Sequence, residues 1–123
     1  MKLNCETTLF LDFNDTPSPV RYAVDALKRD WQDVFSSELQ QAQQPQTNQI
    51  RLVLTPVGYE EGFRVRVDDG IMTIEGQDDL GAVFGIYHVC ESILRIDPYR
   101  FWTDYQVQQS DEIDVPNFVY EHP

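Results

Sequence analysis

Four runs of neighbouring carboxylates, Glu60-Glu61, Asp68-Asp69, Asp78-Asp79 and Asp111-Glu112 with Asp114, are of a type that could do acid–base work or hold a calcium ion. Their contexts point elsewhere. Asp68-Asp69 leads into Gly70 as a turn, Asp78-Asp79 stands where a helix begins, and the other two runs lie in polar connections. The sequence holds no twelve-residue calcium loop, no phosphate loop and no nucleophile elbow. His88 and His122 have no second His or Cys at metal-ligand spacing, and no serine stands in a recognisable base context. Cys5 and Cys90 are too few and too far apart for a disulfide framework or a zinc motif, and Cys90 reads as a reduced core residue. No catalytic residue, metal or cofactor is therefore expected in this chain.

Two other groups remain. Tyr99, Phe101, Trp102 and Tyr105, with Asp104 among them, crowd a loop after Pro98, a composition that suits a core, an interface anchor or a saccharide platform. Gly81, Gly85, His88 and Ser92 line up as one stripe of a helix expected to begin near Asp78 or Asp79 and reach Leu94. A glycine inside a helix costs about 1 kcal/mol relative to alanine, so a neighbouring element is expected to approach closely there. Around the stripe, Val83, Tyr87, Cys90 and Leu94 form one apolar ridge and Ala82, Ile86, Val89 and Ile93 another, a wider arc than a surface helix needs.

The elements that must carry these groups follow from spacing. Residues 8 to 13 read as a strand, and Asn14-Asp15-Thr16-Pro17 as the turn that ends it. Ser18 is a candidate N-cap, with Pro19 at the first helical position. Val20, Val24, Leu27, Trp31, Val34 and Phe35 then trace one apolar face of a helix that frays near residue 42 into a glutamine-rich connection. Gln49 to Leu54 alternate as a second strand, completing a β-α-β unit with parallel strands. Asp69-Gly70 is a favoured two-residue hairpin loop, and it pairs Val67 with Met72, Arg66 with Thr73, Val65 with Ile74 and Arg64 with Glu75. One face of that hairpin is apolar; the other carries Arg64, Arg66, Thr73 and Glu75, so helices are expected to cover the sheet on one side only. The predicted fold is an α/β (α+β) two-layer sandwich with a small mixed sheet.

With 123 residues, 41% of them hydrophobic and 24% charged, the chain suits one soluble globular domain and is too short for a (β/α)8 barrel of about 200 residues. Nine basic against 21 acidic residues leave a net charge of −12, which disfavours nucleic acid and anionic membrane surfaces as partners. No apolar run approaches the roughly 18 residues of a membrane span. The opening Met1-Lys2-Leu3-Asn4-Cys5 lacks the apolar stretch of a signal peptide, so a cytoplasmic location is expected for the sequence as written, or secretion if an upstream signal has been removed.

Residues 74 to 104 resemble the N-terminal domain of glycoside hydrolase family 115, the xylan α-glucuronidases. The resemblance rests on Gly76, Asp78, Gly81, Phe84, Gly85, Ile86, Tyr87, Glu91, Pro98, Phe101, Trp102 and Asp104. The chain departs from the family pattern at His88, where an acidic residue is usual, at Cys90, where serine is usual, and at Arg95, near a usual glycine. The resemblance implies a domain like the second domain of β-hexosaminidases, preceding a catalytic TIM barrel that carries the catalytic carboxylates. It implies that residues 1–123 are a single accessory domain, inactive alone, with that barrel as partner. Gly81, Gly85, His88 and Ser92 would then pack between domains, while Phe101, Trp102 and Asp104 would contact a xylan-derived saccharide. The alternative is a free-standing protein- or carbohydrate-interaction module.

Overall fold

In the computed structural model of the chain, Val20, Val24, Leu27, Trp31, Val34 and Phe35 are all buried on one face of α1 (Ser18–Phe35). The structure describes residues 1–12, 17–97 and 106–122. Pro19 lies in the first turn, where a missing N–H costs nothing. Ser18 is the first helical residue rather than a side-chain cap, and its hydroxyl accepts from Arg21. The helix ends at Phe35, well short of residue 42. Ser36 swings into the left-handed region (φ 56°) and donates its N–H to the Gln32 carbonyl, which closes the last turn.

Two short strands, β1 (Lys2–Leu3) and β2 (Thr8–Leu11), precede α1. The glutamine-rich connection after it contains β3 (Gln40–Gln41) and leads into β4 (Gln49–Leu54). Gln49 is fully buried and organises that connection. Its amide donates to the Thr8 hydroxyl and the Gln44 carbonyl and accepts from the Gln46 N–H and Arg51. The pair β2 and β4 is parallel, as a crossover through α1 requires.

Next comes the hairpin of β5 (Phe63–Asp68) and β6 (Ile71–Gly76), in the register expected from the sequence. Asp69 (φ 51°) and Gly70 (φ 75°) both take the left-handed conformation that a two-residue loop of this kind needs. After α2 (Asp79–Ser92), β7 (Ile113–Asp114) pairs with β1, and β8 (Phe118–His122) adds antiparallel to β5. The main sheet runs β3-β2-β4-β6-β5-β8.

Alternation sorts the sheet into two unlike faces. Leu9, Ile50, Leu52, Val65, Val67, Met72 and Ile74 are buried in one core with the apolar faces of both helices. On the opposite face the Glu75 carboxylate is buried between the guanidinium groups of Arg64 and Arg66, and Arg64 extends the network to Glu121 on β8. These pairs hold the Arg64 guanidinium above its ordinary pKa, through Glu75 first and Glu121 second. The result is a small mixed sheet with two helices packed on one side, an α+β fold. Between the helices, Cys90 is buried near Asp30. Burial pushes its thiol pKa up and the Asp30 carboxylate adds to the effect, so it stays protonated core.

The start of the chain meets a late segment, β7, in the small second sheet. The Met1 ammonium donates to the Val115 carbonyl at 2.8 Å, and the Val115 N–H returns a bond of 2.8 Å to Met1.

Candidate functional site

Helix α2 starts on a carboxylate that serves two segments. Asp78 caps it by accepting from the Gly81 N–H at 2.8 Å, and its other oxygen accepts from the Glu61 N–H at 2.9 Å. These bonds, that from Glu61 first, hold the Asp78 carboxyl below the ordinary aspartate range. Gln77 secures the same connection by accepting from the N–H groups of Val57 and Gly58. The loop before β5 is thereby laid against the first turn of α2.

That contact answers what approaches the glycines. A Cβ on Gly81 would overlap the Gly62 carbonyl, and one on Gly85 would lie 2.7 Å from Ile74 Cγ2. Both glycines are buried, and the close approach is made by this chain's own β5 loop and β6. Gly81 and Gly85 therefore offer no face for packing against another domain, which corrects that expectation. The stripe splits along its length. His88 is half-buried and Ser92 exposed, and the two share a surface cavity of about 400 Å³ between the end of α2 and β8.

His88 forms the wall between that cavity and a second one. Its ring stacks on Tyr120 of β8, centroids 4.1 Å apart and planes 12° from parallel. Phe63 completes the cluster, 5.6 Å from His88 and 5.4 Å from His122. Phe118, Tyr120 and His122 all face α2, because they pair with Val67, Val65 and Phe63 on the core side of β5. The second cavity, about 440 Å³, opens on the other side of His88, floored by Phe63 and His122. Phe84, Tyr87 and Glu91 wall it from α2, and Glu60 and Glu61 from the loop.

Phe84 and Tyr87 belong to a ridge with Leu80, spaced to share the outward face of α2. Leu80 is 45% exposed, Phe84 44% and Tyr87 41%, whereas the opposite face packs on the sheet. The outward face of α2 therefore carries three half-exposed apolar side chains followed by the exposed Glu91, while the inward face is buried. Of this ridge, the apolar arc read from the sequence includes Tyr87 but not Leu80 or Phe84, and the glycine stripe is the more conspicuous signal.

Burial holds the His88 imidazole below its ordinary pKa, and His122 adds to that effect while Glu91 opposes it. Because folded His88 binds a proton less readily than unfolded His88, the unfolded chain takes up more protons as pH falls below about 6.5, and stability falls with it. His88→Gln is expected to flatten that dependence. Urea midpoints measured near pH 7.5 and near pH 5 check this, since the wild-type midpoint should drop more than the variant's on acidification.

The remaining sequence candidates, Phe101, Trp102 and Asp104, lie outside the described residues. Among the described residues no three or more His, Cys, Asp or Glu side chains gather as metal ligands, and no helix is long and apolar enough to cross a membrane.

No protein-family model matches the chain, and no curated protein sequence matches it. Solved structures do. A structure described as a novel family GH115 4-O-methyl-α-glucuronidase, BtGH115A, with specificity for decorated arabinogalactans, superimposes with a TM-score of 0.78 at 20% identity. The match covers 99% of this chain and 18% of that one. The GH20 β-N-acetylhexosaminidase from Streptomyces coelicolor A3(2) gives a TM-score of 0.65 at 19% identity, over 98% of this chain and 22% of its own. A GH138 enzyme targeting pectin rhamnogalacturonan II gives 0.57 at 17% identity, over 74% of this chain and 10% of its own. At these identities the likeness is one of fold. This chain has the fold of a domain found in larger glycoside hydrolases, and it spans less than a quarter of each of these neighbours.

Proposed function

We propose that this chain is a non-catalytic accessory domain of a glycoside hydrolase resembling family 115, packed on a catalytic barrel through the outer face of α2. The open ridge of Leu80, Phe84 and Tyr87 carries this reading: a helix already seated on its own sheet keeps a second apolar face for which a covering body is the natural partner. The fold likeness supports it, because the matched segment is a minor part of each neighbouring enzyme. The whole enzyme would remove glucuronosyl side chains from xylan with water, using two carboxyl groups supplied by the barrel. Within this chain, Phe101, Trp102 and Asp104 are the proposed saccharide contacts at the rim of the cleft, and His88 and Ser92 flank the docking face.

The coding frame beyond residue 123 tests the proposal. An in-frame barrel is the expected result, with glycosidase turnover by the longer protein and none by the 123-residue chain. A stop codon at this point, or turnover by the short chain itself, would overturn it.

A further inference from the structure

We infer that the cavity beside the α2 ridge receives a basic side chain, an arginine by preference, carried on the apolar surface of the body that covers α2. This rests on the accessory-domain reading and adds the chemistry of the contact.

The argument is one of charge. Glu60, Glu61 and Glu91 rim the cavity around Phe84 and Tyr87, and no Lys or Arg among the described residues makes an ion pair with any of the three. Exposed to water, these carboxylates are well solvated. A body that covers the ridge strips that water from a rim of three negative charges, and burying carboxylates without a counter-charge is costly. The imidazoles of His88 and His122 line the same cavity, but burial disfavours a charge on His88, so a covering surface that brings a cation to this point best offsets the cost. A second copy of the chain suits the requirement poorly, since a molecule of net charge −12 repels its own kind. A guanidinium fits better than an ammonium, because its plane lies against the Phe84 and Tyr87 rings while its edge donates to carboxylates. Acidic ligands are excluded by the same rim.

The probe is a blocked pentapeptide, Ac-Ala-Leu-Arg-Leu-Ala-amide, beside its counterpart with citrulline, which has nearly the same shape without the charge. The ring resonances of Phe84 and Tyr87 are followed by NMR in the 123-residue chain. The arginine peptide is expected to shift both rings and to bind about five-fold or more tightly than the citrulline peptide. Glu60→Gln with Glu91→Gln should bring it down to the citrulline level, as should raising salt from about 0.05 M to about 0.5 M. Both glutamates are exposed, so the double variant is expected to fold, which circular dichroism checks. Equal binding of the two peptides, no shift with either, or the same shifts from methyl β-xyloside would overturn the inference. Such a result in a protein whose frame continues into a barrel leaves the accessory-domain reading standing. Arginine selectivity in a chain without a barrel removes that reading and keeps the chemistry of the cavity.

Discussion

Gly81→Ala is expected to destabilise the chain by about 3 kcal/mol, although alanine is the better helix former by about 1 kcal/mol. The added methyl meets the backbone carbonyl of Gly62, in a loop tied down at Gly62 itself and at Glu61. The Gly62 carbonyl accepts from the Gln77 N–H, and the Glu61 N–H is held by Asp78, so the loop cannot yield without loosening the start of α2. Gly85→Ala meets the Ile74 methyl, a side-chain atom with some freedom to shift, and should cost less, about 1 to 2 kcal/mol. Urea unfolding followed by circular dichroism reads both values. Equal or greater stability of Gly81→Ala would mean that the loop does not press on the helix as described.

Phe84→Asp is expected to leave the isolated chain nearly as stable as before and to abolish the proposed assembly with a covering domain. The side chain is 44% exposed and projects from the ridge, so folding loses little when it is replaced. At a docked surface the same change places a carboxylate in an apolar contact beside Glu60, Glu61 and Glu91. Loss of an aromatic anchor at such a site costs about 2 kcal/mol or more, about 30-fold in affinity, before the added charge is counted. Where the frame continues into a barrel as proposed, co-purification of the two separately expressed halves measures the effect. Wild-type assembly with loss in Phe84→Asp is the expected pair of results, and unimpaired assembly of the variant would place the docking face elsewhere.

Local periodicity makes much of this architecture legible. The face of α1, the parallel β2–β4 unit and the β5–β6 register follow from repeats of 3.6 and 2 and from the Asp69-Gly70 loop, all read within short windows. The strand β8 escapes such a reading because its five residues are mostly exposed at a sheet edge and its partner β5 lies some fifty residues earlier in the chain. The end of α1 is hidden because Ser36, not a glycine, takes the left-handed conformation there. In the glutamine-rich connection, a low-complexity composition conceals the buried, fully bonded Gln49. At the candidate site, spacing announces that something presses on Gly81 and Gly85, but spacing carries no information on which segment does so. Contact across the β5 loop is a tertiary fact, and the outer ridge shows in the sequence only as the i, i+4, i+7 spacing of Leu80, Phe84 and Tyr87.

The clasp between Met1 and Val115 ties folding to synthesis. Because residues 1 to 3 find their strand partner only at residues 113 to 115, the part of this domain that is translated first is among the last to be secured. Until then Leu3, buried in the finished fold, lacks its partner strand, so a pause in translation before residue 115 is expected to leave that seam open to proteases.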